Sequence, residues 1–120
     1  MKEQFAELRR RLGEIHDLEK AAGLLSWDEE TKMPPTGADA RAEQRATLNR
    51  IAHELQTAPE IGVLLDELRG FEDEHEYDSF EAALIRVARR DYDKAMRVPS
   101  ELRAELSRAS SLGYRAWLAA

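Results

Sequence analysis

His53 and Glu54 open the pattern of a zinc-hydrolase helix, in which histidines at i and i+4 project onto one ion and the intervening glutamate activates its water. The position that needs the second histidine is Thr57. A hydroxyl is a poor zinc ligand beside imidazole. Thr57-Ala58-Pro59-Glu60 also has the order of a capping box, which gives Thr57 a competing role at a helix start. His53 is therefore read as a helix-surface residue with local hydrogen bonds. His75 stands among Glu72, Asp73, Glu74, Glu76 and Asp78. Calcium loops need a fixed ligand spacing and a glycine at the tight turn, and neither is present, so this is a solvated acidic stretch. His16, beside Asp17, has no second imidazole near it and is read as structural. With no cysteine there is no thiolate, disulfide or Cys-based zinc site, and no Ser-His-Asp order or glycine-rich phosphate loop appears. The sequence thus predicts no catalytic, cofactor-binding or metal-ligating residue.

A different set stands out between Leu24 and Arg41. Trp27 joins a large apolar surface to one polar donor, which suits an anchor beneath the Met33-Pro34-Pro35 turn. Asp28 lies four residues before Lys32, the spacing of a helical ion pair, and can instead meet Arg41 across the turn in a bidentate pair. Trp27, Asp28, Thr31, Met33, Pro34 and Arg41 are read as a structural signature.

These residues must be positioned by helices. Phe5, Leu8, Leu12, Ile15, Leu18, Ala22 and Leu25 recur every three or four residues, the period of one helical stripe. No strand-length alternation occurs, so the predicted fold class is all-α: about five helices in an up-down, bundle-like arrangement without a sheet. Pro34 and Pro35 end the first helix near Lys32. Thr36 or Gly37 opens a second, with Leu48, Ile51, Ala52 and Leu55 inward, Arg41, Arg45 and Arg50 outward, and its end near Gln56. A third buries Ile61, Leu64, Leu65 and Leu68 and stops at Gly70; Phe71 to Asp78 is an exposed connection. Asp78 with Glu81 caps a fourth, whose inner stripe is Phe80, Leu84, Val87, Ala88, Tyr92 and Ala95. A fifth starts at Pro99 and runs through Leu102, Leu106, Ala109, Gly113 and Trp117. Ala119-Ala120 carries no stop signal, so that helix is expected to continue in a longer parent protein.

The 120 residues suit one helical domain over 1–120 with a modest core. Twenty-four acidic against eighteen basic side chains give a net charge of −6, with the signs interleaved. That excludes the basic face of a nucleic-acid binder. Arg9, Arg10 and Arg11 sit beside Glu7 and Glu14 and form a solvated face. No signal peptide or membrane span is visible, so membrane partners are not expected and a cytoplasmic location is.

The order Leu24-Leu25-Ser26-Trp27-Asp28-Glu29-Glu30-Thr31-Lys32-Met33-Pro34-Pro35-Thr36-Gly37, closed by Arg41, resembles the N-terminal segment of the thermostable (Taq-type) metallocarboxypeptidases. Glu43-Gln44, His53-Glu54, the stretch from Arg86 to Ala95, Val98 to Leu102, and Ser110 to Trp117 are similar to that family in order and spacing. The resemblance implies a mostly helical, commonly dimeric cytosolic parent that uses zinc or cobalt to remove C-terminal amino acids from peptides. In it, two histidines and a glutamate hold the metal. None of those positions maps onto this chain, which is similar only to the part forming the wall or lid of the substrate groove. The partners implied are the remainder of the parent, its peptide substrates and a second copy; the alternative is a stand-alone helical interaction or dimerisation module.

Overall fold

The computed structural model describes residues 1–120. Its elements are α1 (Lys2–Thr31), a 3-10 turn (Pro35–Gly37), α2 (Ala38–Gln56), α3 (Pro59–Glu67), α4 (Arg69–Glu74), α5 (Phe80–Ala95) and α6 (Ser100–Ala119). The fold is all helical, as the periodicity predicts, and no strand is present. α1 ends where the proline rule places its end. Pro34, with φ −62° and ψ 145°, leaves the helix and leads into the 3-10 turn, from which α2 starts.

Two kinds of packing hold an elongated body of 55 × 25 × 21 Å. At one end the core is apolar. Leu8 and Ile15 of α1 meet Ile61, Leu64 and Leu65 of α3, Leu68 at the α3–α4 junction, Phe71 of α4, and Ile85 and Ala88 of α5. Burying each leucine or isoleucine there contributes about 1.5–3 kcal/mol of transfer free energy. At the other end α2 lies between the C-terminal half of α1 and α6, and the buried side chains are small: Ala38, Ala42, Ala46 and Ala52 on α2, Ala104, Ser107 and Ser111 on α6. Alanines four residues apart let helix axes approach closely, so what this end lacks in apolar volume it makes up in contact and hydrogen bonds.

Several local expectations are corrected. Phe71 to Glu74 is helical, not an exposed connection: Phe71 is buried and stacks on Phe5, ring centroids 5.2 Å apart. Gly70 therefore lies inside a helix and, like every glycine here, has no positive φ. Thr57 is not a cap. α3 starts after Ala58 with Pro59 in its first turn, and the Thr57 hydroxyl donates to the carbonyl of His53 at 2.8 Å. The cap of α5 is Ser79, whose Oγ accepts from the amide of Ala82, one residue beyond the expected Asp78. On α5 it is Ile85 that is fully buried, while Phe80 and Val87 are exposed. On α6, Leu102, Leu106 and Trp117 face solvent, and Ala104, Ser107 and Ser111 face α2.

Candidate functional site

The signature residues gather where α1 turns into α2. Thr31, in the last turn of α1, donates its hydroxyl to the carbonyl of Trp27 at 2.8 Å. The amides of Lys32 and Met33 both donate to the carbonyl of Asp28 at 2.9 Å, closing the helix end. The side chain of Met33 lies against Gly37, where an added Cβ would come within 3.3 Å of it. A larger residue at Gly37 would therefore have to displace the Met33 side chain by a few tenths of an ångström. Arg41, reaching back from the first turns of α2, donates through Nη1 to Asp28 Oδ2 at 2.7 Å and to the Leu25 carbonyl at 3.1 Å. Its Nε donates to Gln44 at 3.1 Å. The pair across the turn thus forms in preference to Asp28–Lys32. It is not bidentate on the carboxylate, because one guanidinium nitrogen is divided between carboxylate and carbonyl. Trp27 is 56% exposed.

A second cluster continues from this one along α2 and went unread in the sequence. Arg45 Nη1 donates to Glu29 Oε2 at 3.1 Å and to Ser111 Oγ at 2.6 Å, while Ser111 donates to the same Glu29 oxygen at 3.2 Å. Glu29 keeps 6% of its side-chain surface in water and Arg45 keeps 16%. One turn further along, Asn49 donates to Ser107 Oγ at 2.9 Å. Two turns further, His53 is buried against α6, with Nε2 2.9 Å from the carbonyl of Ala95 and Nδ1 2.7 Å from Ser100 Oγ. A carbonyl only accepts, so Nε2 carries a proton toward Ala95, and Nδ1 shares a hydrogen bond with the Ser100 hydroxyl. His53 is a buried linchpin between α2, α5 and α6, not a surface histidine. The readable signal is the four-residue spacing of Arg45, Asn49 and His53 opposite Ser111, Ser107 and Ser100, two polar rows running in opposite directions.

The other histidines are separate. His75 Nδ1 donates to the Phe71 carbonyl at 2.7 Å, and its ring lies 4.3 Å from that of Phe71. His16 lines a cleft between α1 and α5 with Leu12, Glu19, Leu84 and Asp91. No three His, Asp or Glu side chains converge as metal ligands do. A catalytic metal ion does not fit the residues present, since each imidazole is either committed to protein hydrogen bonds or isolated from the others. Two exposed clusters shift carboxylates: Glu7, between Arg10 and Arg11, is lowered to about 2, chiefly by the hydrogen bond from Arg10, and Arg108 lowers Glu43 by the same kind of bond.

The family profile described as Carboxypeptidase Taq (M32) metallopeptidase matches residues 7–120. The chain belongs to the M32 family. Among curated M32 relatives, thermostable carboxypeptidase 1 of Thermus thermophilus is 33% identical over 100 residues, covering 83% of this chain and 20% of its own length. Thermostable carboxypeptidase 1 of Pyrococcus furiosus is 32% identical over 117 residues, covering 98% and 22%. Carboxypeptidase 1 of Bacillus subtilis is 25% identical over 114 residues, covering 95% and 22%. The chain thus spans about a fifth of the length of these M32 relatives. No solved structure matches it. No helix of this M32 chain is long and apolar enough to cross a membrane.

Proposed function

We propose that these 120 residues are the N-terminal helical wall or lid segment of a cytoplasmic metal-dependent carboxypeptidase that removes C-terminal amino acids from peptides, and that the segment carries no metal site of its own. The supporting observation is the family match over residues 7–120 combined with coverage of only a fifth of each relative. The catalytic metal, zinc or cobalt, belongs in this reading to the remainder of the parent, which is also the segment's first partner. A groove wall needs stiffness. Here a helix of thirty residues is braced by the Asp28–Arg41 and Glu29–Arg45–Ser111 contacts, which hold α1 and α6 to α2 without relying on a large apolar core. Such a wall excludes internal stretches of a peptide and admits its end; its contribution is steric.

The purified chain, with zinc or cobalt added, is expected to release no amino acids from the C-terminus of a peptide. Mixed with the Thermus relative from which the matching segment has been removed, it is expected to restore release. Metal-dependent release by the chain alone would refute the proposal. A second reading, a stand-alone helical interaction or dimerisation module, is favoured by one observation, the outward-facing leucines of α6. An in-frame His-Glu-x-x-His helix in the coding sequence after the codon for Ala120 supports the first reading; a stop codon there supports the second.

A further inference from the structure

α6 presents its large apolar side chains to solvent. A helix on a protein surface ordinarily turns its apolar stripe toward the body, whereas α6 lies on α2 through Ala104, Ser107 and Ser111 and holds Leu102, Leu106, Ala109, Gly113 and Trp117 on the opposite side. Leu106 is 56% and Trp117 72% exposed. From Leu102 to Gly113 the spacing is four, three, four, the seam of a helix that packs lengthwise against another helix. Gly113 lies in that seam with open space where a Cβ would stand, so another helix can approach closely there.

We propose that this face docks an apolar helix from the remaining four-fifths or so of the M32 polypeptide, the part that the relatives carry beyond the matched segment. The inference rests on the wall-segment reading above and adds the surface through which the wall is held. The remainder is the occupant, and not a second copy, because a partner on the same polypeptide meets the face at an effective concentration in the roughly millimolar range.

The test titrates the chain into the Thermus relative lacking its matching segment, by calorimetry, with sedimentation velocity of each component alone. The unsubstituted chain is expected to bind one to one. Leu106→Glu and Trp117→Glu weaken binding at least about tenfold, as charges placed in an interface centre do, and Leu106→Ala weakens it less. Val87→Glu, in the cleft between α1 and α5, leaves it within about twofold. Circular dichroism checks that each variant stays helical. Equal binding by Leu106→Glu and the unsubstituted chain overturns this proposal and leaves the wall-segment reading standing. So does a homodimer of the chain that Leu106→Glu dissolves while the remainder still binds. No binding by the unsubstituted chain overturns both.

Discussion

Glu29→Ala tests whether the polar cluster of α1, α2 and α6 holds that end of the molecule together. The substitution leaves the Arg45 guanidinium without its carboxylate, at a site where only 16% of the Arg45 side chain reaches water and where Arg45 Nε already has no partner. Removing one member of a buried pair costs about 3–5 kcal/mol. The lower end applies here, because Arg45 keeps the Ser111 hydroxyl at 2.6 Å and part of its charge can reach solvent. About 3 kcal/mol corresponds to a Tm drop of roughly 9–15 °C for a chain of this size. Glu29→Gln, which keeps an acceptor, should lose roughly 1 kcal/mol. The double variant Glu29→Met, Arg45→Met removes both charges and is expected to fall within about 1 kcal/mol of the original protein, a coupling of at least roughly 2 kcal/mol between the sites. Urea unfolding followed by circular dichroism at 222 nm, with the single variants Glu29→Met and Arg45→Met added, gives all four corners of the cycle. A loss below about 0.5 kcal/mol for Glu29→Ala, or a double variant that loses the sum of the singles, would refute the reasoning.

Burial of His53 with both ring nitrogens engaged predicts a loss of about 2–3 kcal/mol for His53→Ala in the same urea assay, and no change in metal content. Acid should weaken the fold: Glu7 titrates near 2 when folded and near 4.5 when free, so its contribution is complete above about pH 5 and is lost as pH falls toward 2. Glu43 acts in the same direction. Glu7→Gln should flatten the Tm-against-pH curve in that window, and an unchanged slope would contradict the assignment. Gly13→Ala and Gly23→Ala meet open space in α1 and should each stabilise by roughly 0.5–1 kcal/mol. Gly62→Ala would bring a Cβ within 2.8 Å of the Tyr92 hydroxyl and 3.2 Å of its ring, and should gain nothing until Tyr92 is shortened to leucine, as thermal melts of the single and double variants would show.

Where large apolar residues recur at helical spacing and meet a second such stripe, sequence and structure agree: Leu8 and Ile15 on α1 and Ile61, Leu64 and Leu65 on α3 form the core as the period predicts. The proline turn was equally legible, since Pro34 and Pro35 act on the backbone whatever surrounds them. Agreement fails on α2 for one physical reason. Burial was assigned by size, but this end packs by close approach, so small residues face inward and the leucines of α6 face out. The same substitution of fit for bulk hid the Arg45, Asn49 and His53 row, because arginines spaced along a helix look like a solvated face until the serines of α6 are set opposite them. α4 was missed because four acidic residues masked one continuation of the stripe, Phe71 three residues after Leu68. Of the signature, the Asp28–Arg41 pair was foreseen and the exposure of Trp27 was not.

α1 belongs to both ends of the molecule. Its first half is set in the apolar core and its second half in the polar cluster, and thirty residues of helix span about 45 Å. A tilt of five degrees about Leu8 therefore carries Trp27, about 28 Å along the helix, through about 2.5 Å, close to the length of a hydrogen bond. Small repacking around Leu8 and Ile15 is thereby geared up into a displacement of the exposed tryptophan, and the Glu29–Arg45–Ser111 contacts are the brake on that lever.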